Sequence, residues 1–270
     1  MASFETLTKI PLYVGLLLLT GLCSSIWLSR RPGAPERAVS SLRASTLGIL
    51  ASLLVVACLI ARLVAHTYST FGGDGMTWAS LSTIASESRW GIGWRRQLIA
   101  ASWAVGFSAL ARRGSVAAML PLALVTVWLA ASYSMTGHAA ALSTTRLAST
   151  VHLLAAGGWF GTLFILLRVE SAGILWTRFS WVALAGSALV VVSGLVMAAT
   201  YFSAAGDLVS TNYGRVFLLK MALFAGTALC GCLNWRRVRT TGAPAMARLE
   251  LALVLALIIV TAFLTEIAHP

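Results

Sequence analysis

Four histidines, His66, His138, His152 and His269, are the only imidazoles in this 270-residue chain. Imidazole is a common ligand for copper, zinc and haem iron. A metal site at the mouth of a helix bundle needs such donors from several helices meeting at one point. Met76, Met135, Asp74 and Glu266 fall at a similar depth along the chain. Thioether beside imidazole favours copper, because soft sulfur selects Cu(I). His138 and His152 make the best pair, since the small and polar residues between them let two successive helices pack as neighbours. Arg62 and Lys220 are charges inside apolar stretches. Such residues face a cavity or a partner, or snorkel to the interface. Glu266 stands one turn before His269 and could pair with either cation.

The elements that would position these donors follow from composition. Hydrophobic residues make up 59% of the chain and charged residues only 10%, and the mean hydropathy is +0.86. Soluble domains are about 25% charged. So little polar surface cannot cover a globule in water, and apolar runs of about 20 residues instead match the bilayer core. The reading is an all-α polytopic helical bundle in a bacterial inner membrane. Its eight transmembrane helices are placed near 8–28, 43–66, 95–111, 116–136, 149–168, 178–202, 214–234 and 248–268. The first is read as a genuine helix, because basic residues follow it at Arg30 and Arg31 rather than precede it, the reverse of a cleavable signal. The segment 67–94, with Gly72, Gly73, Gly75 and Trp78, is read as the main outer loop.

Charge sets the orientation. The net charge of +12 comes from short basic clusters between apolar stretches, which is a membrane pattern and not a nucleic-acid one. The segments near 29–43, 112–115, 168–178 and 235–248 carry twelve basic residues, and the opposite loops carry six. Both termini are therefore expected in the periplasm, and all four histidines at the outer surface. Cys23, Cys58, Cys230 and Cys232 lie inside apolar stretches, so no disulfide framework is expected. No P-loop and no hydrolytic triad is present, so the chain is not read as an enzyme.

The chain is treated as one membrane domain with a weak internal repeat. Trp90-Gly91-Ile92-Gly93-Trp94 is similar to Tyr213-Gly214-Arg215-Val216-Phe217, 123 positions later. Two parallel four-helix halves, 1–148 and 149–270, would account for it. Gly157 and Gly161 present a small-xxx-small face that permits close helix contact.

Three stretches carry a family resemblance. They are Val151-His152-Leu153-Leu154-Ala155-Ala156-Gly157-Gly158-Trp159-Phe160-Gly161, then Thr211-Asn212-Tyr213-Gly214-Arg215-Val216-Phe217-Leu218-Leu219-Lys220 continuing to Asn234-Trp235-Arg236, and the weaker Gly137-His138-Ala139-Ala140. The chain resembles the copper resistance protein D (CopD) family of bacterial inner membranes. The resemblance implies copper handling, described as uptake from the periplasm, with a periplasmic copper-binding partner of the CopC type. It carries over to His152 and His138, and to the set Tyr213, Gly214, Arg215 and Lys220 with Trp159 and Gly161. His66 and His269 rest on the topology alone, with Met135 and Glu266 as lesser candidate ligands.

Two alternatives stand beside a copper permease. A quinone-linked cytochrome would use two histidines to hold haem, although carriers toward both faces are then expected. A non-transporting protein could bind copper outside and hand it to a periplasmic partner. The sequence sets neither the oxidation state of the metal, nor the transport direction, nor an oligomeric state.

Overall fold

In a computed structural model the described residues are 4–30, 41–112, 116–137, 142–168, 173–241 and 246–268. Among them the chain is all helix, with no strand. The helices are α1 (Phe4–Ser29), α2 (Ser41–Phe71), α3 (Trp78–Glu87), α4 (Arg89–Arg112), α5 (Met119–Tyr133) and α6 (Ser143–Ala156). A π turn, Gly157–Gly161, joins α6 to α7 (Thr162–Arg168). Then follow α8 (Gly173–Tyr201), the single turn α9 (Asp207–Ser210), α10 (Asn212–Thr241) and α11 (Ala247–Leu264).

Helices overlie all eight expected positions. Six spans are long and apolar enough to cross a membrane: α1, most of α2, the continuous rod Ser143–Arg168, most of α8, most of α10, and the whole of α11. The chain is therefore a multi-pass membrane protein. The helix α5 is apolar but short, and α4 opens on Arg89, Arg95 and Arg96. By length and composition these two fall outside that class.

Several boundaries differ from the sequence reading, each for a local reason. The segment read as an outer loop contains α3, opened by a capping box in which Thr77 Oγ1 accepts from Ser80 N–H and Ser80 Oγ from Thr77 N–H. The next helix begins at Arg89 rather than 95, because Ser88 Oγ accepts from Gly91 N–H at 2.8 Å. Ser69 and Thr70 donate their hydroxyls to His66 O and carry α2 on to Phe71. The helix expected at 149 starts at Ser143, where Thr145 Oγ1 donates back to Leu142 O.

The two stretches read as a repeat share their local geometry. Ser88 Oγ donates to Ile84 O and accepts from Gly91 N–H, and Thr211 Oγ1 donates to Asp207 O and accepts from Gly214 N–H. A Cβ on Gly91 would stand 2.1 Å from Ile84 O, and one on Gly214 would stand 2.2 Å from Asp207 O. In both places a short helix folds against the start of a long one over a glycine that cannot be larger.

Helix α1 is the central rod, touching α2, α5, α6, the π turn, α7 and α11. One face of it packs Leu12, Leu16, Leu19 and Leu22 against Val55, Leu59, Ala100, Ala104 and Leu129. The other packs Leu17 against Trp159, Phe160, Leu163, Val254 and Ile258. Close approach is secured where α1 crosses the π turn. A Cβ on Gly21 would lie 2.1 Å from Gly161 C, one on Gly161 would lie 1.9 Å from Leu17 O, and Gly157 abuts Thr20. Thus Gly157 and Gly161 do form a contact face, and its partner is α1. Gly161→Val should lower thermal stability in detergent by more than about 2 kcal/mol, since the added carbons meet backbone. Gly158→Ala, which meets nothing within 4 Å, should leave the melt unchanged.

Candidate metal centre

One polar cluster lies where the start of α1, the ends of α2, α5 and α11 and the start of α4 come together. Arg62, only 3% exposed, brings a guanidinium nitrogen to 3.9 Å from Glu5 Oε1 and lies over the rings of Trp90 and Tyr133 at 5.8 and 5.7 Å. His66, one turn later on α2, stacks on Trp90 at 4.2 Å with rings 15° from parallel. Its Nδ1 faces Glu5 Oε2 at 3.7 Å. Lys9, buried on α1, is ion-paired with Glu266 and hydrogen-bonded to Thr265 Oγ1. Tyr133 donates its hydroxyl to Tyr13 at 2.8 Å. The start of α1 and the end of α11 therefore share one end of the bundle. Glu266 takes Lys9 as partner, while Arg62 takes Glu5, so the expected pairing of Glu266 with Arg62 or Lys220 is replaced by this arrangement.

His152 sits in a second cluster, between α6, α8 and α10. It does not open its helix. Nine residues from Ser143, it lies about 14 Å along the rod from that end. His66 is likewise five residues inside α2. Both side chains therefore lie within their helices rather than at the helix ends. His152 Nδ1 is 3.1 Å from Ser193 Oγ. The Ser193 hydroxyl carries one hydrogen, and it is directed at the carbonyls of Leu189 and Val190. With that hydrogen on a helix carbonyl, Ser193 Oγ accepts from His152 Nδ1–H, and in this tautomer the neutral ring has its lone pair on Nε2. That is the donor form a metal requires, with the tautomer set by a neighbouring hydrogen bond. Lys220 of α10, half-buried, is near enough for its charge to act on the ring. Gly194 lies beside the ring, where a Cβ would stand 3.6 Å from Cε1.

The remaining candidates are spread out. His138 and His269 lie outside the described residues, so the pairing of His138 with His152 does too. Met135 Sδ receives a hydrogen bond from Arg96 at 3.2 Å. Tyr213 is buried edge-on against Tyr201 and beside Phe202, and Arg215 Nε donates to Val209 O at 3.0 Å. With Gly214 these residues tie α9 to α10. Trp159 donates to Glu250 Oε1 at 3.1 Å from the π turn. Among the described residues no three His, Cys, Asp or Glu side chains converge. The partners missing from the sequence reading are Glu5, Tyr13, Trp90, Tyr133 and Ser193. Only the rarity of acids in apolar helices could have marked Glu5. Removing its charge by Glu5→Gln should leave Arg62 buried without its carboxylate and lower stability by about 1–3 kcal/mol, read as a fall in Tm.

Known families give this geometry its context. A family model described as Copper resistance protein D matches residues 174–265, and one described as Copper resistance protein D-like, N-terminal domain, matches residues 4–146. No curated protein and no solved structure matches the chain. The first cluster draws Glu5, Lys9, Arg62, His66 and Tyr133 from the N-terminal match, and Ser193 and Lys220 come from the C-terminal one. His152 and Trp159 fall between the two. Since the N-terminal match alone spans more than half of the sequence, the chain belongs to the copper resistance protein D family of membrane proteins.

Proposed function

We propose that this protein takes copper from the periplasm into the bundle and passes it toward the cytoplasm, with His152 as the ligand inside the outer half of the membrane. The observation that carries this reading is the His152–Ser193 hydrogen bond, which in the Nδ1–H tautomer puts the lone pair of the ring on Nε2. A transported ion must be held strongly enough to enter and weakly enough to leave. Lys220 supplies the weakening element. Its ammonium, when charged, repels a cation at His152, so binding and release are both within reach.

The topology that goes with this reading has eight membrane passages in two parallel halves, both termini periplasmic, in a bacterial inner membrane. It is supported by the twelve-to-six bias of basic residues and by the meeting of Lys9 with Glu266. The cluster of Glu5, Arg62 and His66 then faces the periplasm. His138 and His269, on this topology, join as entry ligands with Met135, and a CopC-like protein is the donor they receive copper from. Glu5 and Glu266 are already held by cations, and Glu266 therefore serves as a tether more than as a ligand. The chain is assigned transport and no catalysed reaction.

Three outcomes test it. Titrated with Cu(I) under reducing conditions, the purified protein should lose one bound equivalent on His152→Ala and keep it on Ser143→Ala. Ser193→Ala should keep the equivalent but weaken it by about 10–100-fold, as loss of a supporting hydrogen bond does. Lys220→Met should tighten it several-fold, because a like charge is removed. Unchanged stoichiometry in His152→Ala combined with His138→Ala would remove the site, and a Soret band in the purified protein would replace copper by haem.

A further inference from the structure

At the end of the bundle away from His66, a cavity of about 240 Å³ opens between α8, α10 and the start of α11. Four indoles line it, those of Trp159, Trp176, Trp181 and Trp235. Its polar groups include Glu250 and Asn234. Glu250 is 1% exposed. Its partners among the described residues are neutral: Trp159 Nε1–H donates to Oε1 at 3.1 Å and Asn234 Nδ2–H to Oε2 at 2.8 Å.

The orientation of Asn234 is settled by its other end, where Oδ1 accepts from Met246 N–H at 2.8 Å. Both neighbours thus present hydrogens to the carboxyl. Around it, α10 contributes Cys230 and Cys232 as titratable groups. Arg178 of α8 donates to Leu28 O, and Arg168 at the end of α7 covers the Phe164 ring. Arg248 is two residues away on α11 itself. None of these cations forms an ion pair with Glu250. Among the described residues Glu250 therefore has no countercharge; a buried carboxylate in that state is costly, and an ionisable side chain inside a membrane segment marks a pathway or a relay.

We propose that Glu250 and its cavity form a proton-binding station on the inner half of the bundle. Two neutral donors, one on each oxygen, support the anion, and burial supports the acid. In the acid form both oxygens still accept from Trp159 and Asn234, so the carboxyl hydrogen needs an acceptor, and the cavity has room for several waters. Release breaks the O–H bond and passes the proton to that water. Uptake reverses it, with no electron transferred. The existence of the station rests on this geometry alone. Its role as the counter-ion site for copper movement rests on the copper reading above.

The test has two readouts. Infrared difference spectra of the full chain in lipid vesicles, without copper, should show a carboxylic-acid C=O band that disappears as pH rises. The band should be absent from Glu250→Gln and present in Glu250→Asp, which keeps the acid. A band that never titrates, or no band assignable to Glu250, overturns the station. In vesicles carrying a pH dye, a Cu(I) gradient should drive proton movement in the parent and not in Glu250→Gln. A titrating band with no copper-driven proton movement in the parent overturns the coupling and leaves the station standing. Loss of a bound copper equivalent in Glu250→Gln overturns the proton assignment and makes the carboxyl a site for the cargo.

Discussion

Inside a bilayer a charged or strongly polar side chain has no water to turn to, so the chain itself must supply its partner. Most of the functional geometry here follows from that constraint. Arg62 is held by Glu5 and two aromatic faces, Lys9 by Glu266 and His152 by Ser193. Each pair joins different helices. The polar groups therefore both threaten the fold and specify it, since only one packing satisfies them together.

The central position of α1 makes the pairing workable. Glu5, Lys9 and Tyr13 lie along it and reach α2, α5 and the end of α11. It can lie that close to its neighbours because Gly21 and Gly161 meet without side chains. The π turn at Gly157–Gly161 then carries Trp159 toward Glu250. One backbone irregularity thereby links the packing of α1 to the polar network at the opposite end. π turns inside helices are frequent at functional sites.

How much of this was legible varies with the length scale of the signal. Long apolar runs leave no option but helix in a membrane, so the six long apolar spans could be read. Helix starts in polar segments were harder. Ser88 and Thr145 look like loop residues, and only their hydroxyl bonds mark the helix starts beside them. The ten residues of α3 are too few to leave an apolar period. Partners far apart in the chain were out of reach: Tyr13 and Tyr133 are 120 positions apart, and His152 and Ser193 are 41. The place of His152 within its helix follows from that same helix start at Ser143. Glu250 carries no distinctive signal in the sequence, because an acid in the first turn of a helix is commonly explained by the helix dipole.

The account turns on whether His152 touches copper through a nitrogen kept free by Ser193. X-ray absorption at the copper edge, on the Cu(I)-loaded full chain in lipid, addresses this directly. The account predicts the multiple-scattering signature of an imidazole ring, lost in His152→Ala and kept in His66→Ala. A first shell of sulfur alone, or an imidazole signal unchanged in His152→Ala, would contradict it.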